Sequence, residues 1–91
     1  MRINVNILDL YDAALRYERI AFVLEDTAAD LTAIRAELNS MGDIGMALRA
    51  DLIHRKAYDL AYRLRGLCAK LRFAAGHYEY YDRQVKGGEN V

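Results

Sequence analysis

The sequence predicts an all-α protein, an antiparallel two-helix hairpin that completes a four-helix bundle by dimerisation. Three observations predict it. The 91 residues include no proline, so no ring removes a backbone donor and clashes with the preceding helical turn. Apolar residues recur alternately three and four apart through both halves, the spacing that keeps one helix face against a neighbour. A single cluster of turn formers, Asn39-Ser40-Met41-Gly42-Asp43-Ile44-Gly45, separates those halves, and its Asn, Ser and two glycines supply turn chemistry and a left-handed cap.

The first helix is expected over about residues 6–39. Asn6 suits the N-cap, and Asp9 and Asp12 favour the positive end of the helix dipole. One heptad row reads Leu10, Tyr17, Leu24, Leu31 and Leu38, with Ala14, Ala21 and Ala28 beside it. Small residues in one row let a neighbouring backbone approach, while large ones in the next fill the gap, toward the short end of the ~8–10 Å range of helix packing. Ala13, Ile20 and Ile34 widen the apolar face on one side, and Leu8, Leu15, Phe22 and Ala29 on the other. That face is too broad for one neighbour.

A turn over about 40–45 leads into a second helix over about 46–85, with Asp43 available to cap it. Its seam is Met46, Ala50, Ile53, Ala57, Leu60, Leu64, Leu67, Leu71, Ala74, Tyr78, Tyr81 and Val85. At ~1.5 Å per residue the helices span roughly 50 and 60 Å, and a short loop forces them antiparallel. Residues 86–91, Lys-Gly-Gly-Glu-Asn-Val, read as a flexible tail. A further row of small residues, Ala47, Ala61, Cys68 and Ala75, is interrupted by His54. Packing on the first helix and packing on another chain both suit that row.

A chain of this length is at most one domain, and its core is modest unless it borrows surface from a neighbour. A bare hairpin leaves one side of each stripe in water, and at ~25 cal/mol per Å² that exposure favours association. The residues expected to meet a partner are Leu10, Tyr17, Leu24, Leu31 and Leu38 on the first helix. Ile53, Leu60, Leu64, Leu67, Leu71 and Tyr81 are their counterparts on the second.

Thirteen Lys and Arg balance thirteen Asp and Glu, so no net field draws the chain toward nucleic acid or an anionic membrane. The charges are unevenly shared: residues 6–39 carry seven acidic and three basic side chains, residues 43–85 five and eight. Two flanks of opposite sign select orientation and partner more than they add stability. No stretch approaches the ~20 apolar residues of a membrane span, and no standard signal peptide is expected. The lone Cys68 makes no internal disulfide, and no Cys/His spacing suits zinc.

His54 and His77 lack a second ligand or a nucleophile at useful spacing. Glu25, Asp26 and Asp30 read as a solvated acidic face. Arg63, Arg65, Lys70 and Arg72 form a basic cluster suited to the acidic first helix, to an acidic partner or, third, to phosphate. No catalytic residue, metal or cofactor is expected, so function is sought in what the chain binds.

The second helix ends in Tyr78-Glu79-Tyr80-Tyr81-Asp82. Tyr78 and Asp82 are four residues apart and share a helix face, where an amphipathic aromatic and a carboxylate can be recognised together. Tyr78 equally suits a core aromatic closing the bundle, and Tyr80, just off the seam, suits an exposed contact. Tyr58 and Tyr62 form another pair at spacing four.

A proline-free chain of two helices around a Gly-containing turn, ending in Tyr-x-x-x-Asp, resembles the WxG family of type VII secretion. It also resembles the small helical partners of LXG-domain toxins in those systems. The resemblance implies that Tyr78 and Asp82 belong to an export signal read by the system's ATPase on a helical dimer. It implies as partner the helical N-terminal domain of a larger toxin, or a second copy, and a route from cytoplasm to exterior without a cleavable signal peptide. The chain departs from the family at the turn, where Ser40-Met41-Gly42 or Asp43-Ile44-Gly45 replaces Trp-x-Gly, which implies that a partner brings the missing half. A cytoplasmic helical-hairpin adaptor and a self-dimerising secreted protein are the alternative readings.

Overall fold

A computed structural model describes residues 6–89. Two helices, α1 (Ile7–Ser40) and α2 (Ile44–Glu89), run antiparallel and form a single layer with extents of 75 × 20 × 13 Å.

Local chemistry sets the ends of α1 and the start of α2. The Asn6 side chain accepts from the Leu8 backbone N–H at 3.1 Å, satisfying a donor that the first turn leaves open. At the other end of α1, Asp43 N–H donates to Leu38 C=O at 2.9 Å and Gly42 N–H to Asn39 C=O at 3.1 Å. That paired closure is a Schellman motif, and it requires a left-handed residue. Gly42 supplies it at φ +80°. Asp43 then caps α2, its Oδ1 accepting from Met46 N–H at 3.1 Å. The connection is tighter than the 40–45 turn expected from composition, because Ile44 and Gly45 already belong to α2.

The core between the helices is made of small side chains. Ala14, Ala21 and Ala28 of α1 are buried against Ala47, Ala50, Ala57, Ala61, Cys68 and Ala75 of α2. No bulky residue joins them in full burial. The approach is close enough for α2 side chains to reach the α1 backbone. Cys68 Sγ donates to Ala14 C=O at 3.2 Å, and His54 Nδ1 lies 2.7 Å from Ala28 C=O. His54 therefore fills its place in the alanine row by hydrogen bonding, with Thr32 Oγ1 3.2 Å away and Tyr58 edge-on at 4.8 Å.

The structure decides one reading that the sequence left open and corrects another. The row Ala47, Ala61, Cys68 and Ala75, suited to either of two neighbours, packs within the hairpin. The long α2 seam, expected as one packing face, is divided. Ala50, Ala57, Leu64, Leu71 and Tyr78 turn partly or wholly toward α1, whereas Met46, Ile53, Leu60, Leu67 and Tyr81 remain exposed. Alanines draw the axes together, and the larger row two steps round the helix is then left outside the contact. In the same way, α2 runs through Lys86, Gly87 and Gly88 to Glu89, where a flexible tail is expected. Each glycine costs about 1 kcal/mol of helix propensity but removes no hydrogen bond, so it weakens a helix without ending it. Asn90 and Val91 lie outside the described residues.

One flank of the alanine core is a polar ladder. Arg65 grips Glu25 through two nitrogens, Arg72 pairs with Glu18, and Tyr11 donates to Glu79 at 3.3 Å. Arg35 bridges to Asp51 at 2.8 Å, and Arg55 shares that carboxylate at 2.9 Å. Acidic α1 and basic α2 thus meet at Glu18 and Glu25, and the polarity reverses near the turn, where Arg35 of α1 meets Asp51 of α2. The hydrogen bonds from Arg65 hold the Glu25 carboxyl below its usual range, against partial loss of solvent.

Two predictions follow from this packing. Ala21→Leu should destabilise the hairpin by about 1–3 kcal/mol through overpacking, while Ala29→Leu, on the exposed surface, should change stability by no more than about 0.5 kcal/mol; urea denaturation measures both. Because the Glu25 carboxyl is depressed in the folded state, its contribution is present above the unfolded value near ~4.3 and is lost as pH falls through the native value. Glu25→Gln should therefore lower the melting temperature at pH 7, and the gap to the native protein should close as pH falls through the native Glu25 value.

Candidate partner-docking face

The ladder fixes which way every other row of the hairpin points. In a helix the residues three and four after a given position lie on opposite sides of it. Glu18 follows Ala14 by four and stands in the ladder, so Tyr17, three after Ala14, lies on the opposite flank. On α2, Arg65 and Arg72 follow Ala61 and Cys68 by four. Leu64 and Leu71 consequently take the flank away from the ladder.

That opposite flank is apolar on both helices. Its floor is formed by Leu10, Tyr17, Leu24, Leu31 and Leu38 from α1 with Ala50, Ala57, Leu64, Leu71 and Tyr78 from α2. The large members are half-buried and only the two alanines are fully covered. Its shoulders are Ala13, Ile20 and Ile34 on α1 and Met46, Ile53, Leu60, Leu67, Ala74 and Tyr81 on α2. Ile53 is 54 % exposed, Leu60 48 % and Tyr81 64 %, values that an apolar core residue does not have. A continuous apolar strip along the 34 residues of α1, roughly 50 Å at 1.5 Å per residue, is far larger than the few hundred Å² that monomers usually leave open.

The eleven side chains expected from the sequence to meet a partner all fall on this one face, five from α1 and six from α2. Sequence reasoning divided them between two separate helical stripes, and the antiparallel register brings them together. Met46, read as the first residue of the α2 seam, and Ile20 and Ile34, read as widening the α1 stripe, belong to the same face. Leu8, Leu15 and Phe22, which read as the other edge of the α1 stripe, instead lie on the ladder side, where they are exposed.

Tyr78 sits at the end of the apolar floor remote from the turn, half-buried and edge-on to His77 at 6.0 Å. Asp82 stands one helical turn further along and is exposed. Tyr80 and Tyr81 are both exposed beside them. The two residues of the Tyr-x-x-x-Asp element therefore lie where the docking face meets the open end of the hairpin. Tyr58 lies instead on the ladder side against His54, and Tyr62 is exposed.

The remaining charged clusters are partly taken up in structural pairs. Of the basic group, Arg65 and Arg72 join the ladder and Arg63 pairs with Asp59 within its own helix at 3.1 Å. Glu25 is taken by Arg65, which separates it from Asp26 and Asp30. Among the described residues no group of three His, Cys, Asp or Glu side chains is placed to hold a metal ion, and no helix is long and apolar enough to cross a membrane. No protein-family model, curated protein or solved structure matches this chain.

Proposed function

We propose that this chain is a non-enzymatic helical pairing subunit of type VII secretion. Its apolar face docks on a helical domain of a larger exported protein, the N-terminal part of an LXG-like toxin, and the complex presents Tyr78 and Asp82 to the secretion ATPase. The observation that carries the reading is the single apolar face with the Tyr-x-x-x-Asp element at its open end. Helices that dock in this way bury leucine and aromatic anchors along an existing seam, with specificity supplied by charged edges. The tyrosine at the end of the floor places an aromatic ring beside the partner and a carboxylate one turn beyond it, so both chains can contribute to one recognition surface. On this reading the protein is cytoplasmic until export and then extracellular, with no cleavable signal peptide.

The test is export of the tagged chain from its source cells, followed in medium and cytoplasm together with the larger protein recovered on it. Tyr78→Ala and Asp82→Ala should each abolish export while the complex is still recovered from the cytoplasm. Undiminished export of both variants overturns the signal assignment. Loss of the complex in Tyr78→Ala makes this ring part of the seam instead and removes the support for a signal.

A further inference from the structure

The zero net charge of the chain conceals a division between the two long edges of the hairpin. Residues two before and two after each member of the contact column lie on the side of a helix opposite that contact. On α2, those after Ala47, His54, Ala61, Cys68 and Ala75 are Arg49, Lys56, Arg63, Lys70 and His77. Those before include Leu52, Asp59, Gly66 and Phe73, and Tyr80 continues their row. All are exposed, Leu52 by 53 %, Phe73 by 79 % and Tyr80 by 64 %. The one carboxylate among them, Asp59, is held by Arg63 at 3.1 Å. Arg49, Lys56 and Lys70 make no ion pair among the described residues.

The corresponding edge of α1 has the opposite sign. There Asp9, Asp12, Asp26, Asp30 and Glu37 outnumber Arg16 and Arg19. One edge of the hairpin is therefore basic and apolar, and the other is acidic.

From this arrangement we propose that the outer edge of α2 docks on an anionic membrane surface. Arg49, Lys56, Arg63 and Lys70 meet the lipid headgroups, and Leu52, Phe73 and Tyr80 enter the boundary between headgroups and acyl chains. This edge lies beyond the shoulder of the partner-docking face, so it stays open when a partner covers that face. The inference does not rest on the export reading, since it requires only this chain and lipid.

The basic residues recur every seventh position, ~10.5 Å apart, along an edge of roughly 45 Å from Arg49 to Tyr80. Laterally mobile headgroups meet such a row without any fixed register. The apolar side chains stand at intervening heights, and lysine and arginine stems lie along them while their charged ends reach headgroup phosphates. A nucleic-acid strand would engage the same charges, but it offers no hydrocarbon to Leu52 or to Leu48, which is 66 % exposed in the next row. The acidic edge does not oppose this docking. It stands across the 20 Å width of the hairpin, about two Debye lengths away at physiological ionic strength, while the basic edge is in contact. The same separation selects which edge faces the membrane.

The experiment uses the purified full chain with vesicles of phosphatidylcholine, plain or containing about 30 % phosphatidylglycerol. Flotation should recover the chain with the anionic vesicles only, and recovery should fall steeply between about 0.1 and 0.5 M salt. Lys56→Gln and Lys70→Gln should each weaken binding about fivefold, with helix content by circular dichroism unchanged. The chain contains no tryptophan, so single tryptophans report position. Phe73→Trp on the α2 edge should shift its emission to the blue and be quenched by brominated lipid; Val23→Trp on the acidic edge of α1 should do neither. Failure to float with anionic vesicles, equal recovery on uncharged ones, or undiminished binding of both lysine variants each overturns the proposal. Quenching of Val23→Trp as strong as that of Phe73→Trp also overturns it. Tighter binding of a single-stranded oligonucleotide than of anionic vesicles assigns the edge to nucleic acid and overturns it as well.

Discussion

The close approach of two helix backbones across a column of alanines is the contact on which the remaining structure depends. Ala14, Ala21 and Ala28 present almost no side chain to α2, and Ala47, Ala61, Cys68 and Ala75 answer them in kind. At such a distance a thiol and an imidazole from α2 hydrogen-bond directly to α1 carbonyls. The contact is narrow: large residues on either flank are too far round the helix to enter it. Full burial within one hairpin is therefore limited to small side chains, and the leucines beside the column are left half-buried or exposed.

The two flanks of that column have opposite characters, and the difference is written in single positions. Four residues after each α1 alanine of the first two layers comes glutamate, at Glu18 and Glu25; four after Ala61 and Cys68 comes arginine, at Arg65 and Arg72. These meet across the antiparallel seam. Three residues after the same small residues come Tyr17, Leu24, Leu64 and Leu71, which gather on the other side. Half-exposed ion pairs of this kind add little to stability. Their effect is on orientation, because they give the layer one polar surface and one apolar surface.

The hairpin keeps an apolar strip open along its length, and the chemistry such a surface offers is burial of leucine and aromatic side chains.

The sequence by itself determined the helices. The absence of proline, the Asn6 cap, Gly42 at the one left-handed position and Asp43 at the start of α2 act through neighbouring backbone groups, and such local effects are legible without a fold. The apolar rows, and the eleven residues expected at a partner surface, were legible for the same reason. Periodicity alone could not choose between adjacent rows as the internal contact, since the alanine row and the leucine seam of α2 both repeat every seven residues. Nor did glycine near positions 87–88 stop the helix, where composition pointed to a flexible tail. Tertiary structure decided the first of these. Burying the small rows lets the backbones close and the Glu18, Glu25, Arg65 and Arg72 side chains reach one another, and this choice turns the leucines of both helices onto a single face.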